Sequence, residues 1–287
     1  MANLKEIRNR IASVSSTMQI TSAMKMVSAA KLKKAQDAIT AMRPYASTLT
    51  ELIQNLSGAL DGDAQNPYIQ LREKQAVLII AITSNRGLCG AFNANIIKKT
   101  RQLIDEDYAN QKVSLLTIGK KGSEILNKTG KVISSHDSLF DDLSYENTGE
   151  IAQQLMDQYE AKEYDEVVLV YNRFKNAATQ IVEVEPFLPI VAEAETQSES
   201  SADYLFEPNQ SEIVNDLLPK SLKMQLFKAL RDSFASEHGA RMTAMHKATD
   251  NATELRDQLK LTYNKARQAA ITNEILEIVG GAEALNN

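Results

Sequence analysis

The chain has 287 residues, 43% of them hydrophobic and 24% charged, with a formal net charge of -5, a profile that excludes a disordered polymer and leaves room for up to two folded units. No stretch reaches the roughly 20 consecutive apolar residues of a membrane-spanning helix, and the opening Met1-Ala2-Asn3-Leu4-Lys5-Glu6 has no apolar signal core, so the compartment of synthesis is the expected location. The one cysteine, Cys89, excludes an internal disulfide and a cysteine-rich metal framework.

Residues 1–57 form the first expected element. They carry eight Lys and Arg against three acids, and one residue series keeps alternating steps of three and four: Leu4, Ile7, Ile11, Val14, Met18, Thr21, Lys25, Ser28, Leu32, Ala35, Ile39, Met42, Ala46, Leu49, Ile53 and Leu56. A period of about 3.5 residues marks the seam of a coiled coil. Thr21, Lys25 and Ser28 interrupt the apolar stripe while Ile20, Met24 and Val27 point to an adjacent face, so the seam is expected to weaken or rotate there. At ~1.5 Å per residue the helix would be about 80 Å long. Pro44 is expected to kink it rather than end it, because the stripe resumes beyond.

Residues 58–208 read as a central α/β domain. The acids gather here: residues 58–218 hold twenty-six against fourteen basic residues. Residues 76–83 and 113–118 are buried apolar runs, with helical spacing over 91–107 between them. A helix is expected between 150 and 160, and further strands at 166–171 and 180–184. This alternation predicts a Rossmann-like sheet with parallel neighbours. The polar, acidic stretch 193–201 reads as a surface loop or linker, and no solenoid-type repeat is present.

Residues 209–287 mirror the first element. Phe227, Phe234, Met245, Ala248, Ala252, Leu255, Leu259, Thr262, Ala266, Ala269 and Leu276 fall on the same kind of seam, and residues 219–279 carry ten basic residues against seven acids. Pro219 suits the first turn and Gly280-Gly281 the end of a helix about 90 Å long. Two helices of matched length at opposite ends of one chain predict an antiparallel intramolecular coiled coil. Its middle is rich in Ala, Ser and Thr, which permits slender packing. Residues 271–279 are apolar on more than one face, so a second surface must receive this tip.

The chemistry-bearing candidates each have a plain alternative. Ser84-Asn85-Arg86-Gly87-Leu88-Cys89-Gly90-Ala91-Phe92-Asn93 follows the first strand and opens a helix, where many α/β proteins hold a phosphate, but its two glycines fall short of a dinucleotide fingerprint. Gly119-Lys120-Lys121 lacks both the earlier glycine and the following Ser or Thr of a P-loop. Structural turns are the better reading of both. His136, His238 and His246 have no metal-ligand spacing and read as surface residues. Asp105-Glu106-Asp107 and Asp141-Asp142 read as solvated ends, and Cys89 as a small residue in a turn. No cofactor site is expected. The basic ends fit an acidic protein partner; nucleic acid is disfavoured because Tyr45 is the only aromatic of the N-terminal arm.

Four separated segments nevertheless carry a resemblance. They are Ile7-Arg8 with Ile20-Thr21-Ser22-Ala23-Met24-Lys25-Met26-Val27 and Lys31-Leu32; Arg86-Gly87-Leu88-Cys89-Gly90; Arg241-Met242-Thr243-Ala244-Met245 with Ala248-Thr249-Asp250-Asn251-Ala252; and Lys265-Ala266-Arg267-Gln268-Ala269-Ala270-Ile271-Thr272-Asn273-Glu274-Ile275 running to Gly281-Ala282-Glu283. In this order they resemble the gamma subunits of F-type ATP synthases over the whole chain. At Asn85, Ala91 and Phe92 the loop departs from the commoner Asp, Gly and Leu.

The resemblance implies a non-catalytic rotor shaft inside a hexamer of alpha and beta subunits, seated on the c ring beside the epsilon subunit. It implies that Met24 and Lys25 lie near acidic beta-subunit loops, that Arg267, Gln268 and Thr272 lie at an upper contact, and that Arg241 lies on the lower shaft. The absence of the chloroplast cysteine segment and of a targeting peptide favours a bacterial enzyme on the cytoplasmic face of the membrane. The alternative from another class is an α/β nucleotide-dependent enzyme with a coiled-coil arm.

Overall fold

The computed structural model describes residues 4–57, 67–70, 72–190 and 210–285. The acidic stretch 193–201 lies outside the described residues. In chain order the elements are α1 (Leu4–Ser57), β1 (Ala76–Ile82), α2 (Phe92–Gln102), β2 (Lys112–Ile118), α3 (Lys120–Leu126), β3 (Val132–Ser135), α4 (Tyr145–Glu160), β4 (Glu166–Phe174), β5 (Gln180–Leu188) and α5 (Gln210–Leu285). Long helices occupy both ends and an α/β sheet the middle. The chain divides into two units, residues 29–241 and a helical unit of residues up to 28 with those from 242 onward.

The 29–241 unit is built on a five-stranded sheet in the order β3-β2-β1-β4-β5. Ile79 of β1 stands opposite Leu115 of β2 and Val168 of β4 in parallel ladders, β3 is parallel to β2, and β5 runs antiparallel to β4. The inner strands are continuous apolar runs because helices cover both faces. Leu78, Ile80 and Ile82 pack with Leu155 and Met156 of α4 and Leu222, Leu226 and Leu230 of α5. Val77, Ile79 and Ala81 pack with Ile96 and Ile97 of α2 and Leu126 of α3. Each such side chain contributes roughly 1.5–3 kcal/mol when fully buried.

Several boundaries differ from the expected ones for local reasons. α4 starts at Tyr145 because Ser144 caps it, its hydroxyl accepting the Asn147 N–H at 3.2 Å. The helical spacing over 91–107 resolves into α2 and a π-helical turn, Leu103–Asp107, which buries Leu103 and Ile104. α3 and β3, seven and four residues long, are too short for periodicity to show. Gly119 joins β2 to α3 at φ 103°, and a Cβ there would stand 2.2 Å from the Thr83 carbonyl oxygen. That glycine serves close packing, not a phosphate.

In the helical unit, α1 and α5 run antiparallel. Arg8 meets Tyr263, Met18 meets Thr253 and Arg256, and Thr21 meets Thr249. The expected α1 series holds through its polar members: Ile7, Thr21 and Ser28 are buried, Ile11, Val14, Met18 and Lys25 half-buried, and Ile20 and Val27 exposed. The seam therefore does not rotate at Thr21. It continues with small polar side chains, Thr249 Oγ1 donating to Thr21 Oγ1 at 2.8 Å.

On α5 the expected series is corrected at alternate members. Met245, Ala252, Leu259 and Ala266 are buried or half-buried, but Leu255 and Thr262 are exposed, while Arg256 and Tyr263 are half-buried. Apolarity alone selects Leu255 over Arg256. An arginine stem or a tyrosine ring nonetheless covers a seam well while its polar end reaches out, here to Met18 Sδ at 3.5 Å and to the Arg8 guanidinium at 2.9 Å.

The helices are also not of matched length: α1 has 54 residues and α5 has 76. α5 begins at Gln210, so Pro219 lies inside it rather than in its first turn, and it continues through Gly280-Gly281 to Leu285. Ala282, Glu283, Ala284 and Leu285 are strong helix formers, and neither glycine adopts the left-handed conformation that closes a helix. Ile11 and Val14 accordingly lie opposite the stretch between Thr253 and Tyr263, not opposite 266–273. Cysteines replacing Thr21 and Thr249 are expected to form an intramolecular disulfide in dilute protein, since the two hydroxyl oxygens are 2.8 Å apart. A disulfide between cysteines at Ile11 and Ala269 instead, read by peptide mapping, would overturn this register.

Candidate functional site

The six residues singled out in the sequence fall in three places. Met24 and Lys25 are neighbours on α1, both half-buried. Arg267, Gln268 and Thr272 are exposed on the part of α5 beyond the last cross-helix contact, where Thr272 Oγ1 donates to the Gln268 carbonyl at 3.0 Å. Arg241 belongs to the 29–241 unit and is 6% exposed.

The helical unit offers a surface rather than a pocket. Ile20, Met26 and Val27 form one exposed apolar group on α1, and Ile271, Ile275, Leu276, Ile278 and Val279 form another near the end of α5. From Arg267 to Ala282 every residue is exposed. A helix with apolar side chains on several faces and no partner among the described residues has the character of an interaction surface.

In the 29–241 unit, β1 lies between β2 and β4, so the chain turns in opposite directions on either side of it. The loop leaving β1 thus sits where doubly wound sheets open a crevice for ligands. Here the crevice side of the loop is engaged by the chain itself. Arg241 Nη2 donates to the carbonyls of Arg86 at 3.0 Å and Gly87 at 3.3 Å, and Nε donates to Gly87 at 3.4 Å. Nη1 pairs with Glu237 Oε1 at 2.7 Å and meets His238 Nδ1 at 3.3 Å. All five guanidinium donors are placed.

The rest of the loop is held from within. Ser84 N–H donates to Asn93 Oδ1 at 2.9 Å, Ser84 Oγ donates to the Arg86 carbonyl at 2.7 Å, and Asn93 Nδ2 reaches Cys89 Sγ at 3.3 Å. Asn85 ties the loop to the Asp137 carbonyl at 2.6 Å and accepts the Lys120 N–H at 3.0 Å. Leu88 and Gly90 take left-handed φ of 61° to close the turn. A phosphate cradle presents converging N–H groups; this loop presents carbonyls, already bound by a cation.

Burial sets the electrostatics of the clasp. It raises the Glu237 carboxyl, with Arg241, Lys31 and Arg86 acting against it. Burial, with Arg241 and Lys31, lowers the His238 imidazole to about 4. Burial also pushes the Cys89 thiol up, which makes it a poor nucleophile.

His238 was expected at the surface and is in fact 5% exposed, edge-on to the Phe234 ring. His246 is exposed beside Asp250 at 3.3 Å, and His136 is half-buried near Ser134. Asp105, Glu106 and Asp107 are exposed on the π-helical turn, and Asp141 and Asp142 are exposed as well. No cluster with metal-ligand chemistry occurs among the described residues. The clasp itself went unread. Its one sequence signal is the Glu237 and Arg241 spacing of four on a helix, which usually marks a weak surface pair.

Comparison with known proteins gives a consistent picture. Residues 3–285 match the family described as ATP synthase. The chain is 68% identical over 285 residues to the ATP synthase gamma chain of Flavobacterium psychrophilum, covering 99% of each, and 67% identical over 286 residues to that of Flavobacterium johnsoniae, covering all of both. Among solved structures it resembles a chain of the central stalk and c ring of the Tetrahymena thermophila mitochondrial ATP synthase, at 28% identity and TM-score 0.63, covering 80% of this chain and 99% of that one. It shares the fold of a chain in the Euglena gracilis mitochondrial ATP synthase in rotational state 3, at 23% identity and TM-score 0.73, covering 98% and 94%.

Proposed function

The chain belongs to the ATP synthase gamma-chain family, and from that premise we propose that it is the central rotor shaft of an F-type ATP synthase, carrying c-ring rotation to the catalytic sites of the beta subunits. The observation that carries this reading is the helical unit: a slender antiparallel pair whose longer helix ends in an exposed, many-sided apolar stretch. An asymmetric shaft turning inside three alpha–beta pairs presents each with a different face and biases it toward a different conformation. The alpha and beta subunits receive the helical unit, and the epsilon subunit and c ring receive the α/β part. The chain itself does no chemistry.

In this reading the shaft elements are residues 1–57 and 209–287, with 58–208 as the central domain. Met24 and Lys25 face acidic beta-subunit loops, and Arg267, Gln268 and Thr272 make the upper contact. Arg241, whose guanidinium is taken up inside the chain, contributes to the lower shaft by holding the 84–93 loop in shape. No described helix is long and apolar enough to cross a membrane, which agrees with peripheral attachment through the complex, on the cytoplasmic face of a bacterial membrane.

Reversing Lys25 to Glu tests the shaft surface. A single half-buried charge change moves stability by about 1 kcal/mol or less, whereas a like charge facing acidic loops acts across the interface. Coupled proton pumping in the assembled complex is expected to fall severalfold at low salt, with assembly retained. Unchanged pumping at low salt would count against the assignment. The enzyme alternative is disfavoured because the loop at the crevice is bound by Arg241, and saturable ATP hydrolysis by the isolated chain would revive it.

A further inference from the structure

The five donors of Arg241 dictate the state of the groups around them. Nη1 has two hydrogens, one directed to Glu237 Oε1 at 2.7 Å and the other to His238 Nδ1 at 3.3 Å. A guanidinium has no acceptor, so Nδ1 must be the acceptor and the imidazole must be neutral, with its proton on Nε2. His238 Nε2 is buried without a hydrogen-bond partner among the described residues. A second proton on the ring would set N–H against N–H and positive charge against positive charge in a site closed to water.

We propose that His238 is a positioning residue for Arg241, and that its protonation opens the clasp and frees the 84–93 loop. The neutral ring holds one edge of the guanidinium plane, which leaves the other edge aimed at the Arg86 and Gly87 carbonyls. With the ring charged, that plane loses its stop, the Gly87 carbonyl loses the Arg241 donor and the Arg86 carbonyl keeps only that of Ser84. The inference rests on residues of the 29–241 unit alone and not on the shaft reading.

The groups facing His238 set the direction. Arg241 on its own helix and Lys31 on α1 both oppose a charged ring, as does burial. Glu237 works in the other sense. Burial raises its carboxyl, so the closed form takes up that proton more readily than the open form, and acid acting through Glu237 alone would tighten the clasp. For His238, the closed form binds its proton less readily than the open form, so closure is lost as pH falls from the ordinary value of 6.5 toward about 4. If opening returns the ring to water, the open fraction rises about twentyfold between pH 7 and pH 5.

Cys89 is a built-in reporter: it lies in the loop, is 2% exposed and is the one cysteine of the chain. In the full-length protein, the rate at which its sulfur attacks 4,4′-dithiodipyridine, a disulfide that remains reactive in acid and releases 4-thiopyridone, is divided by the rate for glutathione at the same pH. That ratio is expected to rise severalfold from pH 7 to pH 5, with the about twentyfold of His238 alone as its ceiling because Glu237 opposes it, and with helicity at 222 nm unchanged. His238→Gln keeps an acceptor that does not titrate, and is expected to hold the ratio low across the range, with no acid rise.

An equal acid rise in His238→Gln would overturn the proposal, as would a flat wild-type profile or exposure that tracks loss of helicity. A second measurement needs no variant. Nitrogen chemical shifts of the His238 ring at pH 7 are expected to show the neutral form with hydrogen on Nε2, and a ring charged or protonated on Nδ1 would sink the idea.

Discussion

Replacing Arg241 by alanine is expected to destabilise the 29–241 unit by about 3–5 kcal/mol, the range for removing one partner of a buried ion pair. The argument is one of remainders. Glu237 and Arg241 are both nearly inaccessible, with side-chain exposures of 9% and 8%, so the variant leaves a buried carboxylate without its ion-pair partner, with only the more distant Lys31 and Arg86 acting on it. It also takes the Arg241 donor from the Gly87 carbonyl, while the Arg86 carbonyl keeps the Ser84 hydroxyl, a loss of the order of 1 kcal/mol for one hydrogen bond. Arg241→Lys restores a charge but not the planar fork, and should recover only part of the loss. Urea unfolding of the full-length chain, followed by helicity, measures the difference. A loss below 1 kcal/mol in Arg241→Ala would mean that water or a shifted loop replaces the clasp at little cost.

Deleting residues from Arg267 onward is expected to abolish most coupled ATP synthesis, whereas deleting 281–287 leaves it near wild type. The long deletion removes twenty-one residues, among them Arg267, Gln268 and Thr272 and the apolar Ile271, Ile275, Leu276, Ile278 and Val279. The stretch from Arg267 to Val279 is about 20 Å of helix at ~1.5 Å per residue. The short deletion removes the last turn and none of those side chains. Neither removes Tyr263, which holds Arg8 of α1, so folding is preserved in both. Synthesis in reconstituted vesicles, normalised to assembled complex, decides the matter. Loss in the short variant with retention in the long one would place the partner contacts elsewhere.

The features legible in the sequence were those that repeat. The seam on α1 was read member by member, and β1, β2 and β4 were placed because a strand covered on both faces is an unbroken apolar run, while the edge strand β5 alternates apolar and acidic residues. Where a single side chain decided the outcome, the reading failed. Arg256 and Tyr263 took seam places that hydropathy assigned to Leu255 and Thr262, because a long side chain is apolar for most of its length. Gly280-Gly281 looked like a terminus, yet a glycine ends a helix only when the backbone takes the left-handed turn that glycine merely permits. His238 was read as exposed because a lone histidine carries no period; Phe234 and Arg241 stand one helical turn away on α5, and the rest of its cover comes from tertiary packing that no local pattern reveals. The outward residues of the site were marked by resemblance alone, as was Arg241; the Arg86-Gly87 loop was marked as well, but the contact that joins these two was not legible.

The pairing of Arg8 with Tyr263 and of Thr21 with Thr249 joins residues 255 and 228 positions apart. On the ribosome that separation becomes a delay. At about 5–20 residues per second, the first helix emerges some ten to fifty seconds before the segment that covers its seam. Within that interval the 29–241 sheet acquires all its strands, β1 to β5, while Ile7, Ile11 and Val14 still await the segment that covers them. The first-made helix is therefore among the last parts to be completed, and the nascent chain is most exposed to aggregation and to chaperone capture at its oldest end.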